Sequence, residues 1–353
     1  MSFQTVLTSL ILTLISGLGG YAASFVHIPL PFMTGSLIVA GLIALFLPKK
    51  LPQGYAFPTS IRAVFMVAIG VMIGTKVTPD LLNSLGTVAA SLAGLTVFVF
   101  LAHGANYLIF RHIGRYDRPT AFYAGTPGGL LESLAMGEAA GANLPILTMQ
   151  QFLRIIAVIT LMPVGLSFWY GAPLGSASGI SLGGNDVPWQ QIPLAIGIGL
   201  VGYIVCLKIK LPAGQLTGPL LAAAIVSVFG WADLALPQWL INLSQVVIGT
   251  SLGLKFTGLR GQTMVRAAWL SVLSVTAMLG IGIGFSLGLQ WLTGTNFDVL
   301  LISFAPGGVT EMALIALSLH ANPALVTLHH VFRIFLTVIE MTLLARLFKM
   351  NKL

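Results

Sequence analysis

One thirty-residue stretch occurs twice in this chain, and both copies break a helix in the middle of apolar sequence. Residues 126–155 read TPGGLLESLAMGEAAGANLPILTMQQFLRI, and residues 305–334 read APGGVTEMALIALSLHANPALVTLHHVFRI. Pro127, Gly128, Gly129, Glu132, Ala142, Asn143, Thr148, Arg154 and Ile155 recur 179 positions later as Pro306, Gly307, Gly308, Glu311, Ala321, Asn322, Thr327, Arg333 and Ile334. Only 7% of the chain is charged, so a Glu pair and an Arg pair recurring at one offset mark a duplicated functional element.

The surroundings of this element are those of a membrane protein. Hydrophobic residues make up 56% of the 353 and charged residues 7%, against the quarter of charged residues usual in a soluble domain. Apolar segments approaching a bilayer crossing fall near 5–25, 32–47, 59–76, 84–109 and 144–170. A second series falls near 191–207, 215–231, 237–255, 264–291 and 322–348. Residues 119–140 and 297–319 hold the Pro-Gly-Gly breaks and cannot be uninterrupted helices, because Pro removes a donor and Gly is a poor helix former. The leading MSFQT lacks the Lys or Arg of a signal peptide, so the first apolar segment reads as a membrane helix. Cys206, the single cysteine, rules out a disulfide framework and a thiolate metal site. A net charge of +8 placed in short loops is a membrane-orientation signal, and with no folded reader domain it argues against nucleic acid.

The duplication runs through nearly the whole chain. Residues 69–76 (IGVMIGTK) recur as 248–255 (IGTSLGLK), and Pro29, Thr34 and Gly35 recur as Pro212, Thr217 and Gly218 at an offset of 183. The expected fold is therefore an all-α polytopic membrane protein of two repeats. The first spans 1–170, an external Gly/Ser-rich linker spans 171–190, and the second repeat spans 191–353. Lys49, Lys50, Arg111, Arg115, Arg118, Lys208, Lys210, Lys255, Arg260 and Arg266 mark cytoplasmic loops; Asp186, Asp233 and Asp298 mark external ones; Arg346, Lys349 and Lys352 place the C-terminus inside. Lys76 fits this scheme poorly. The set is consistent with five transmembrane helices per repeat, each repeat adding a Pro-Gly-Gly re-entrant element, and the two repeats inverted as in many secondary transporters.

Non-helical backbone at membrane depth needs protein or a water-filled cavity to satisfy it, so Gly128, Gly129, Gly307 and Gly308 predict a site. The helix starts that follow favour an anionic group or a carbonyl. Glu132 and Glu311 are intramembrane carboxylates, a functional signal in themselves. Arg154 and Arg333 lie about ten residues, roughly 15 Å, into apolar segments. Two readings stay open: Glu132–Arg154 and Glu311–Arg333 as structural ion pairs, or an Arg meeting a carboxylate substrate while a Glu carries a coupling ion. Gln150 and Gln151 of the first copy become His329 and His330 in the second. His330 stands three residues before Arg333 and is a candidate proton site. Asn143 and Asn322 read as helix caps. Gly70, Gly74, Gly249 and Gly253 have the spacing of close helix packing. Thr34-Gly35 and Thr217-Gly218 are candidates for a further part of the site.

The APGG motif, Glu311-Met312, His329-His330 with Arg333 and the earlier Thr217-Gly218-Pro219 together resemble the AbrB family of bacterial membrane proteins, defined by this duplication. The resemblance covers the whole chain. The first copy departs from it at Gln150-Gln151, so a histidine role belongs to one half. The soluble DNA-binding regulator of the same name is not similar. A monooxygenase label used in the family finds no copper or iron ligand cluster in this sequence. At fold level the layout also resembles sodium–glutamate symporters and cation–proton antiporters, an analogy that gives no substrate.

The expected function is a secondary transporter of the bacterial cytoplasmic membrane, both termini inside, moving a small charged solute by alternating access with H⁺ or Na⁺ coupling. Its site comprises Gly128, Gly129, Glu132, Arg154, Gly307, Gly308, Glu311, His330 and Arg333. No enzymatic chemistry, cofactor or metal is expected. The partners are a small-molecule or ion substrate and the lipid bilayer, not nucleic acid; self-association into a homo-oligomer is left open. The rivals are a membrane sensor of gene expression that transports nothing, and a membrane enzyme.

Overall fold

The computed structural model describes residues 3–26, 30–77, 85–171, 183–184, 187–209, 211, 213–257, 262–319 and 321–348. Most of the expected linker at 171–190 lies outside them, as do Pro29, Pro212, Asp186, Lys210, Arg260, Lys349 and Lys352. Among the described residues there are fourteen α-helices and no β-strand. Six helical stretches are long and apolar enough to cross a membrane: Phe3–Phe25, Gly86–Ile113, Leu144–Tyr170, Gln191–Lys208, Met264–Thr293 and Pro323–Leu347. Large apolar side chains cover their outer faces, among them Leu14, Phe168 and Trp291. A soluble protein would bury such a surface, whereas a bilayer solvates it. Trp169, Trp231, Trp239 and Trp291 lie exposed near helix ends, where indole rings suit the membrane–water boundary. The protein is a multi-pass membrane protein.

Four of the expected segments form shorter helices than the rest. α2 (Pro31–Phe46), α3 (Thr59–Gly74) and α10 (Gln238–Gly253) have 16 residues and α9 (Gly214–Val228) has 15. At 1.5 Å per residue these reach roughly 24 Å, less than the ~30 Å hydrocarbon core.

The chain forms two compact units, and each half contributes to both. The first unit holds α1 (Phe3–Phe25), α2, α3, α8 (Gln191–Lys208), α9 and α10. Its helices meet through glycine. A Cβ on Gly249 would lie 2.3 Å from the Met33 carbonyl oxygen, and one on Gly253 2.4 Å from that of Leu37. The same contact appears 183 positions on from Met33 and 179 back from Gly249: Gly70 approaches the Leu216 carbonyl to 2.6 Å and Gly74 that of Leu220 to 2.4 Å, on the same measure. Thus α2 packs on α10, and α3 on α9, backbone to backbone. Gly35 likewise meets Gly19, and Gly218 meets Gly202, so Thr34-Gly35 and Thr217-Gly218 belong to packed helix contacts. The correspondence reaches the backbone angles. Leu30 precedes α2 and Ala213 precedes α9, and both are left-handed, at φ 49° and 53°. The Leu30 carbonyl accepts from the Thr34 amide at 2.9 Å and that of Ala213 from Thr217 at 3.0 Å, which closes each helix start.

The second unit carries both Pro-Gly-Gly motifs. It contains α4 (Leu85–Leu108) with a π-helical turn at Ile109–Ile113, α5 (Arg118–Ala124), α6 (Leu130–Ala139), α7 (Leu144–Tyr170) up to Met162, α11 (Gln262–Thr293), α12 (Phe297–Phe304), the start of α13 (Val309–Ser318), and α14 (Pro323–Leu347) from Leu325. Its apolar core joins Phe110, Phe122, Tyr123, Leu147, Leu270 and Met341. Phe304 stacks on Phe285 at 5.7 Å and meets Phe98 edge-on at 5.3 Å, tying α12 to α11 and α4. Asp117 caps α5, accepting from the Thr120 amide at 2.9 Å. Asn143 caps α7 through the Ile146 amide at 3.2 Å, and Asn322 caps α14 through Ala324 at 3.0 Å.

Candidate functional site

In both copies the chain leaves helical geometry at the motif, over residues 125–129 and 305–308. Each break has an Arg on the side where one helix ends and a Glu where the next begins. Arg154 Nη1 donates to the Thr126 carbonyl. Arg333 Nη1 donates to the Ala305 carbonyl, the position equivalent to Thr126, and its Nη2 donates to Gly307 at 2.8 Å. A guanidinium at the carbonyl end of a helix meets the negative end of its dipole. Glu132 and Glu311 lie in the first turns of α6 and α13, at the positive ends. Each carboxylate folds back over its own helix start: Glu132 Oε2 is 3.4 Å from where a Gly129 Cβ would be, and Glu311 Oε2 only 2.1 Å from that of Gly308. Gly129 is left-handed at φ 60°. Glycine is therefore required at Gly129 by conformation, whereas at Gly308 a Cβ would meet only the end of the Glu311 side chain.

The two breaks converge. A Cβ on Gly128, in the first break, would lie 3.2 Å from Thr337 Oγ1 and 3.5 Å from Arg333 Nε, both on the second-copy helix α14. Arg333 thus sits between the first break and the carbonyls of the second. Arg154 and Arg333 are both buried, Arg333 with 1% of its surface exposed, and Glu311 is buried as well. No Glu132–Arg154 or Glu311–Arg333 ion pair forms; among the described residues the acid–base contact is between His103 and Glu340. The Nε–H groups of Arg154 and Arg333 are buried without a hydrogen-bond partner. The ion-pair reading of the sequence is replaced by one in which backbone carbonyls hold each Arg.

The Gln-to-His exchange alters the wiring at one break. Gln151 Nε2 donates to the Tyr123 carbonyl at 2.9 Å and to Thr126 Oγ1 at 2.9 Å, lacing α7 across the first break. Its counterpart His330 bonds to the Val326 carbonyl through Nδ1 at 2.9 Å, while its buried Nε2 has no hydrogen-bond partner. One residue earlier the copies agree in logic. Gln150 Oε1 accepts from Ser271 at 2.5 Å, and His329 Nε2 meets Ser91 Oγ at 2.8 Å. Ser91 lies on α4 and Ser271 on α11. Asn106 of α4 joins this layer, donating to the Gly125 carbonyl at 3.0 Å and accepting from Ser274 at 2.7 Å. Reading the repeat alone passes over Asn106, His103 and Glu340, because none has a like counterpart at the common offset. Their signal is a polar or charged side chain inside an apolar segment. No group of three or more His, Cys, Asp or Glu side chains that could hold a metal ion occurs among the described residues.

These elements define a multi-pass helical membrane protein with two helix breaks, each holding a buried arginine on its carbonyls. The chain belongs to the AbrB family: the family model described as "Transition state regulatory protein AbrB" matches residues 32–349. Among curated relatives, an uncharacterized protein, YhjN, of Bacillus subtilis (strain 168) is 26% identical over 341 residues, covering 92% of this chain and 88% of that protein. A protein of Escherichia coli (strain K12) named "Putative regulator AbrB" is 25% identical over 351 residues, covering 95% of this chain and 94% of its own.

Proposed function

We propose that this protein is a secondary transporter of a small anionic solute in the bacterial cytoplasmic membrane, working by alternating access with H⁺ or Na⁺ coupling. The observation that supports it is the buried Arg154 and Arg333, each held at its break by backbone carbonyls and not by carboxylates, and each with an unused Nε–H. Two uncompensated guanidinium groups in a low-dielectric interior are costly, and an anion that meets both removes the cost. Arg presents planar donors suited to a carboxylate or phosphate. On this reading Gly128, Gly129, Glu132, Gly307, Gly308, Glu311 and His330 surround the solute, and the protein moves it unaltered, without a cofactor. The repeats are inverted, each broken segment is re-entrant, and both termini face the cytoplasm. Loop charge and the duplicated geometry of the breaks support this arrangement.

The test is a thermal-stability screen of purified protein against carboxylates, phosphates, amines and metal cations. A ligand that binds only the folded state raises the melting temperature, by about 2.7 kcal/mol of stability at a hundredfold excess over Kd. Anions are expected to give the shift, and Arg333→Ala to remove it. A shift from amines or cations alone, retained in Arg154→Ala and Arg333→Ala, overturns the anion assignment. The regulator name of the Escherichia coli relative favours a second reading, ligand sensing without transport. The bound anion, once found, distinguishes the two by its uptake into proteoliposomes.

A further inference from the structure

The pair His103–Glu340 lies within the same unit but takes no part in either break. His103 stands on α4 and Glu340 on α14, at 2% and 1% exposure. His103 Nε2 is 2.9 Å from the Phe122 carbonyl oxygen, and Nδ1 is 2.9 Å from Glu340 Oε1. These two contacts fix the proton count. A carbonyl can only accept, so Nε2 carries a hydrogen. In a neutral imidazole Nδ1 then presents a lone pair, which cannot bond to an ionised carboxylate. The contact therefore contains one further proton, either on Oε1 as a carboxylic acid or on Nδ1 as an imidazolium. Both forms have no net charge. Removing that proton leaves a buried carboxylate facing a lone pair, with net charge −1.

The pair borders a cavity. With Phe100, Gly104, Tyr107, Arg118, Phe122, Leu344 and Phe348 it lines a cavity of about 390 Å³. Glu340 Oε2 is buried and has no hydrogen-bond partner, which leaves one acceptor of the pair unused. Tyr107 on α4 and Arg118 on α5 are the other titratable groups lining this cavity.

We propose that His103–Glu340 is a reversible proton-binding site in the membrane interior: it holds one proton between Nδ1 and Oε1 and releases it through the cavity beside it. On the transporter reading above, this site carries the coupled proton; as a proton site it stands apart from that reading.

Two measurements on purified full-length protein test it, with the proton as the only ligand. The first is proton release and infrared difference spectra on raising pH, in wild type and Glu340→Gln. The Gln amide donates to the Nδ1 lone pair and so imitates the loaded state. Glu340→Gln should release about one proton fewer than wild type and lose one carboxyl or imidazolium signal. Wild-type melting temperature should fall as pH rises and the contact empties, whereas that of Glu340→Gln should change less. The second is ¹⁵N-histidine NMR of the wild type, with the His103 signal identified by its absence in His103→Gln; this measurement does not depend on Glu340→Gln folding. Nε2 should stay protonated while Nδ1 changes with pH. Equal proton release by wild type and Glu340→Gln, or an Nδ1 signal that is invariant with pH, overturns the proposal. Failure to find any solute flux would remove the transporter reading and leave these results untouched.

Discussion

A methyl group at Gly308 would meet only the end of the flexible Glu311 side chain, which can turn away, so Gly308→Ala should cost little stability. Gly129→Ala is the costly one, because its left-handed backbone penalises any Cβ by about 1–2 kcal/mol. The opposite sign is expected at Ala213, which holds the same backbone region at φ 53° without being glycine. Ala213→Gly should raise the melting temperature, and a fall would show that the methyl group contributes more than the strain. At Arg333 the test is Lys. An ammonium keeps the charge but cannot span the Ala305 and Gly307 carbonyls as the fork does. Arg333→Lys should lose about 1–2 kcal/mol of stability and weaken anion binding, measured together by thermal shift with and without the anion.

At the level of helices, glycine separates into two kinds. Gly70, Gly74, Gly249 and Gly253 meet a neighbouring backbone, whereas Gly280 on α11 has nothing within 4 Å of where its Cβ would be. Gly249→Val should therefore destabilise markedly and Gly280→Ala should stabilise by about 0.5–1 kcal/mol through helix propensity. Equal effects from the two would remove the packing argument. The spacing of these glycines announced close contact, but not the partner: Gly249 meets α2 and Gly70 meets α9, each helix supplied by the other half of the chain. Helix positions were legible from apolar runs, and the breaks from Pro-Gly-Gly. The Glu–Arg pairs were legible as special but not as to role, since sequence distance does not disclose that a guanidinium will choose carbonyls 28 residues back. His103 and Glu340 were missed for the opposite reason. Tracking residues that recur selects for duplicated chemistry, and this pair has Gly282 and Leu161 at the related positions.

For the whole molecule, the open quantity is orientation. The proposed inversion places Lys49 and Lys208 on one face of the membrane and Asp233 and Asp298 on the other. Cys206 is buried, so its replacement by Ala clears the background for single cysteines at exposed positions. Impermeant thiol reagents applied to intact cells should label a cysteine at Asp233 and spare one at Lys49. Labelling of both from outside, or of neither, contradicts the arrangement.

The reciprocal glycine contacts of the first unit also have a consequence for how the protein is made. When Gly70 and Gly74 leave the ribosome, the carbonyls of Leu216 and Leu220 that fill their groove have not been synthesised. At about 5–20 residues per second, some 150 residues of further synthesis take roughly 7–30 s. Throughout that interval α3 lies in the bilayer with its closest-packing face bare. Neither half can finish folding alone, so separately expressed halves should be degraded when single and rescued when produced together.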